Sequence, residues 1–128
     1  MDIEHIGYVV EDPVRTAQWY VEHLGLRVVR RGAGPALGHF LADGSGRVMI
    51  EIYKGLALGA PDYRRMDPRL LHLAFSTSDV EGVRARLIAA GAAPEGEVVR
   101  TPEGDTIATL RDPWGFPVQL ARRAGPMV

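Results

Sequence analysis

Residues 4–25, EHIGYVVEDPVRTAQWYVEHLG, decide the fold because residues 71–91, LHLAFSTSDVEGVRARLIAAG, say the same thing again. His5 matches His72, Tyr8 matches Phe75 and Asp12 matches Asp79, all at an offset of 67, while Gly25 and Gly91 fall one residue out of that register. Such self-similarity at a fixed spacing marks a repeated supersecondary unit. Each copy reads as a strand followed by a helix. Asp12 suits an N-cap, and Pro13 suits the first helical position, where its missing N–H costs nothing. Val14, Ala17, Val21 and Leu24 are expected to form the buried stripe of the first helix, and Gly25 its left-handed end. In the second copy Asp79 caps, Val80, Val83, Leu87 and Ala90 line the inner face, and Gly91 closes the helix.

Three short strand patterns follow each helix. They are RVVRRG (27–32), LGHFLA (37–42) and RVMIEIY (47–53), then EVVR (97–100), TIATLR (106–111) and PVQLA (117–121). The DGSG, TPEGD and DPWGF stretches between them carry turn chemistry. The chain therefore reads as one α+β domain made of two tandem βαβββ modules. Module one covers about 1–53 and module two about 70–122. A Gly- and Pro-bearing connection at 54–69, KGLALGAPDYRRMDPR, reads as a linker or lid.

Composition narrows the function. With 128 residues the chain can bury a core without metal or disulfide staples. Lys and Arg total 15 against 16 Asp and Glu, with no basic block, so neither nucleic acid nor an anionic membrane is an expected partner. With no cysteine, thiolate nucleophiles and thiolate metal sites are excluded. The N-terminus lacks the basic and apolar regions of a signal peptide, and no apolar run reaches membrane-spanning length, so a cytoplasmic protein is expected.

Strand parity isolates four polar residues. Alternate side chains of a strand face opposite sides of its sheet. Ile6, Tyr8 and Val10, with Val48, Ile50 and Ile52, then lie on a strongly apolar face suited to helix packing. The same holds for Leu71, Leu73 and Phe75, with Val118 and Leu120. His5, Glu51, His72 and Gln119 all fall on the opposite face, beside Val9, Met49, Tyr53 and Ala74. Glu51 and Gln119 are equivalent at an offset of 68, just as the two histidines are equivalent. Two imidazoles, one carboxylate and one amide oxygen suit a divalent ion such as Zn, Ni, Co, Mn or Fe. His39 reads as a surface or packed histidine rather than a cavity residue, and Tyr53 as a substrate contact on the same face as Glu51.

The motifs HIGYVVED, MIEIY, LHLAFST and RDPWGFPVQL, in this order and spacing, resemble the vicinal oxygen chelate superfamily. That group includes glyoxalase I, methylmalonyl-CoA epimerase, extradiol dioxygenases, and the fosfomycin and bleomycin resistance proteins. The resemblance covers nearly the whole chain. It implies curled sheets forming an open barrel around one divalent metal, held at the positions of His5, Glu51, His72 and Gln119. The family ending is usually of the DPxGxxxEL type, so Gln119 stands where a carboxylate is usual.

That departure has a chemical consequence. An amide oxygen can bind a metal but cannot act as a general base. Strict glyoxalase I activity is therefore disfavoured, and Glu51 is left as the proton carrier. The expected function is Lewis-acid activation of a small vicinal-oxygen substrate, with isomerase or lyase chemistry preferred over ring-cleaving dioxygenation. The alternative is a non-catalytic protein that binds an antibiotic in the same cavity. Homodimerisation is expected, because open sheets leave edges to be covered.

Overall fold

Both strand-to-helix turns are built as their sequences require. After strand β1 (Ile6–Val10), Asp12 has extended backbone and accepts a hydrogen bond from the Arg15 amide at 3.0 Å. This satisfies one of the donors left over at the start of helix α1 (Pro13–Leu24). Gly25, at φ 72°, ends α1 in the left-handed conformation and donates its N–H to the Tyr20 carbonyl. Asp12→Ala is expected to cost about 1 kcal/mol. It should lower the urea midpoint at unchanged slope, and an unchanged midpoint would show that the cap contributes nothing.

The buried stripe of α1 differs from the expected one. Pro13, Thr16, Ala17, Trp19 and Tyr20 are buried, whereas Val14 and Val21 are 50% and 42% exposed. The register is still helical. Pro13, Thr16, Ala17 and Tyr20 follow the i, i+3, i+4, i+7 spacing, so the face is turned by about one residue. Burial of Tyr20 removes far more apolar area than either valine would, and its hydroxyl accepts from Tyr8 at 3.3 Å.

The computed structural model describes residues 1–128 and divides into two compact units, Met1–Pro61 and Asp62–Val128. The first holds β1, α1, β2 (Arg27–Arg31), β3 (His39–Ala42) and β4 (Met49–Lys54). Its sheet order is β1-β4-β3-β2, with β1 parallel to β4 and the other pairs antiparallel. The second holds β5 (Leu73–Ser76), α2 (Val80–Ala89), β6 (Ala93–Arg100), β7 (Thr106–Arg111) and β8 (Pro117–Arg122), in the matching order β5-β8-β7-β6. The chain is thus an α+β structure of two tandem βαβββ modules. Asp79 caps α2 by accepting from the Gly82 amide at 2.9 Å, as Asp12 does for α1.

Each module buries most of the apolar face of its sheet, although Ile6 and Val48 at the edge of the first stay 49% and 58% exposed. Tyr8, Val10, Leu41, Ile50 and Ile52 form this layer in the first unit. Leu110, Val118 and Leu120 on the sheet and Leu87 on α2 do so in the second. No helix is long and apolar enough to cross a membrane.

The 54–69 connection contains structure that its composition conceals. A 3-10 turn spans Tyr63–Arg65, and Tyr63 is buried edge-on against Phe116 with ring centroids 4.9 Å apart. The Arg111 guanidinium holds this stretch down. It donates to the carbonyls of Tyr63 at 2.6 Å and Met66 at 2.9 Å, and to Glu95 at 2.7 and 3.1 Å. From Asp62 onward the connection is therefore an integral part of the second unit. The DPWGF turn is organised by Asp112, which is 3% exposed and accepts from the Trp114 and Phe116 amides, each at 2.9 Å.

Candidate metal centre

Cross-strand register settles the facing of Glu51. It sits opposite Gly7 on β1 and Phe40 on β3, while Ile50 and Ile52 on either side point into the core. Glu51 is half-buried, with side-chain exposure of 26%. The two glycines nearby make room for it. A Cβ on Gly7 would lie 3.3 Å from Glu51 Oε2 and 3.4 Å from a Tyr53 ring carbon, and one on Gly38 would lie 3.7 Å from Glu51 Oε1. Tyr53 is half-buried on the same face, two residues beyond Glu51.

His5 lies one residue ahead of β1 rather than within it. Its Nε2 is 3.4 Å from Glu51 Oε2, and its ring stands edge-on to Phe40 at 5.3 Å. The Nδ1 side faces the Glu4 carboxylate. That hydrogen bond, with the charges of Glu4 and Glu51 adding to it, raises the His5 pKa above its ordinary value. His72 likewise precedes β5 by one residue, and its Nδ1–H donates to the Pro68 carbonyl at 2.8 Å. Gln119 lies on β8 opposite Ala74 and Thr109, half-buried, with Val118 and Leu120 facing the core.

The residues fit a divalent metal in two respects. Both histidines have Nδ1 engaged by an oxygen, which leaves Nε2 as the available donor atom. Metal-binding histidines are held in just this way by carboxylates or carbonyls. The 3.4 Å between His5 Nε2 and Glu51 Oε2 is also about the separation of two ligands, each roughly 2.1 Å from one ion, at a tetrahedral angle. The pair His5–Glu51 belongs to the first unit and the residues His72 and Gln119 to the second. No three His, Asp or Glu side chains are gathered around one point.

Two orienting groups were missed from the residues alone. Glu4 was legible, since it adjoins His5 in the chain. The Pro68 carbonyl was not, because a main-chain acceptor leaves no mark on the sequence. His39 is buried, 6% exposed, and pairs across the sheet with Ile52 on the helix side. Its Nδ1–H donates to the Leu37 carbonyl at 2.7 Å, so it takes no part in the Glu51 face.

Comparison with known proteins agrees with this architecture. Residues 2–120 match the Glyoxalase/Bleomycin resistance protein/Dioxygenase superfamily. A putative lactoylglutathione lyase from Brassica oleracea var. gemmifera is 29% identical over 141 residues, covering 95% of this chain but only 44% of that protein. The chain thus spans less than half the length of this curated relative. A glyoxalase family protein from Bacillus cereus superposes with a TM-score of 0.81 over 98% of this chain and 95% of that one, at 20% identity. The E144Q variant of glyoxalase I from Zea mays gives a TM-score of 0.76 at 25% identity, over 97% of this chain and 46% of its own. With its two βαβββ modules and a match along nearly its whole length, the chain belongs to the glyoxalase/bleomycin resistance protein/dioxygenase superfamily.

Proposed function

We propose that the chain is a metal-dependent enzyme acting on a small substrate with vicinal oxygens, by proton transfer of the isomerase or lyase kind. The observation that carries this reading is His5, with Nδ1 held by Glu4 and Nε2 aimed at Glu51. In the first unit His5 and Glu51 would supply ligands to a divalent ion of the Zn, Ni, Co, Mn or Fe class, and in the second His72 and Gln119 would supply the equivalent ones. When bound, such an ion supplies Lewis acidity toward the paired oxygens of the substrate. Glu51 takes the proton from the carbon beside those oxygens and returns it, since Gln119 has no group that can accept one. Tyr53 contacts the substrate alongside. The terminal strands β1 and β5 of the two sheets support a homodimer in solution.

The test is metal content. Protein purified without a histidine tag should take up near-stoichiometric metal, and the His5→Ala/His72→Ala variant should not. Uptake should weaken as pH falls through the raised His5 pKa, because the proton and the metal compete for the same nitrogen. Failure of the wild type to bind Zn, Ni, Co, Mn or Fe after reconstitution would overturn the enzyme reading. It would leave the non-catalytic binding protein in its place.

A further inference from the structure

The face of the first sheet that carries Glu51 ends in a cation. Register places Gly7 on β1, Glu51 on β4, Phe40 on β3 and Arg30 on β2 in one row across the sheet. Side chains in such a row point to the same side. The Arg30 guanidinium lies over the Phe40 ring, 5.9 Å from its centroid, and the same ring stands edge-on to His5 at 5.3 Å. The row is thus continuous from the imidazole, across an aromatic floor, to a guanidinium.

The second module shows what an equivalent row looks like when its charges are satisfied internally. Ala74, Gln119, Thr109 and Glu95 occupy the corresponding row. There the terminal charge, Glu95, is closed off by a two-pronged ion pair with Arg111 at 2.7 and 3.1 Å. Arg30 has no such partner. It forms no salt bridge and is exposed, with Phe40 as its neighbour. Two halves built on one plan therefore differ at this end of the row. One holds a closed ion pair and the other an open guanidinium on the side of the candidate metal ligands.

We propose that Arg30 is a specificity-determining residue that anchors an anionic group of the substrate, a phosphate or carboxylate, opposite its vicinal-oxygen end. The inference rests on the metal-site reading above and adds the substrate class to it. Adjacent strands lie about 4.8 Å apart, so Arg30 is rooted about 10 Å from the Glu51 backbone. With the reach of both side chains, this accommodates a three-carbon molecule that carries its oxygen pair at one end and its anion at the other. A guanidinium suits that role because its donors pair with two anionic oxygens at once. The Phe40 ring beneath it supplies an apolar surface for the carbon skeleton.

The experiment compares two probes that share a 2-hydroxy acid head, glycerate and 3-phosphoglycerate, by calorimetric titration into metal-loaded protein. The wild type should bind 3-phosphoglycerate at least about tenfold more tightly than glycerate. R30Q should keep its full metal content and lose that preference. R31Q removes the same charge from the next residue, which pairs with His39 on the helix side, and should retain the preference. Equal affinity for both probes in the wild type, or a preference that survives in R30Q, would overturn the proposal while leaving the metal reading intact. A loss in R31Q as large as that in R30Q would also overturn it, by showing an effect of net charge alone. A wild type that takes up no metal would overturn the metal-site reading and, with it, this proposal.

Discussion

Glu51→Gln is expected to slow proton exchange at the carbon next to a vicinal oxygen pair by roughly 10²–10⁴-fold, the usual contribution of a positioned general base. The measurement is the rate at which dihydroxyacetone exchanges its carbon-bound hydrogens with deuterated water in the presence of metal-loaded protein, above the background rate. The substitution is nearly isosteric, so Gly7 and Gly38 still leave room for the side chain. The amide oxygen can still bind metal, and metal content should stay near the wild-type level. What is lost is basicity. Full exchange in the variant would remove Glu51 from the proton-transfer role. Loss of metal together with exchange would assign it to holding the ion alone.

Arg111→Met is expected to destabilise the protein by about 2–4 kcal/mol, the cost of removing a largely buried guanidinium that holds two main-chain carbonyls and a partly exposed carboxylate. Arg111 has a side-chain exposure of 11%, and it holds the Tyr63 and Met66 carbonyls and both oxygens of Glu95. Urea denaturation at neutral pH would measure the loss, and a change within about 0.5 kcal/mol would show that the network is dispensable. The pH dependence has a definite sign. The Arg111 hydrogen bond lowers the Glu95 pKa, so its stabilising contribution is present at neutral pH and lost as pH falls through the folded-state value. In Arg111→Met that part of the acid sensitivity should disappear. The same variant frees the stretch leading to Pro68, whose carbonyl orients His72. Metal affinity should then fall by about 10–100-fold, as when other groups that orient a ligand are removed.

Much of the architecture was written in local patterns. Asp12 and Asp79 announce their helices because capping is a contact between residues three apart, and the structure realises both. The facing of Glu51 and Gln119 followed from a period of two, which depends on strand geometry alone. The inner face of α1 was less legible. Val14 and Val21 are as apolar as buried residues, but Tyr20 competes for the same core and fills it better. The connection after module one was harder still. Tyr63 packs on Phe116, 53 residues further along, and nothing near Tyr63 in the chain foretells this.

The candidate site divides along the same line. The repeat by itself determined the two modules, the pairing of His5 with His72 and of Glu51 with Gln119, and the face on which strand parity puts Glu51 and Gln119. These follow from backbone periodicity and from equivalent positions in a duplicated unit. Only the tertiary structure decided that His5 Nε2 meets Glu51, that a Pro68 carbonyl sets the His72 ring, and that Arg30 completes a row begun at Gly7. Each of these depends on which strands become neighbours and in what register. Such choices are made by burial of the whole core, and no short stretch of sequence contains them.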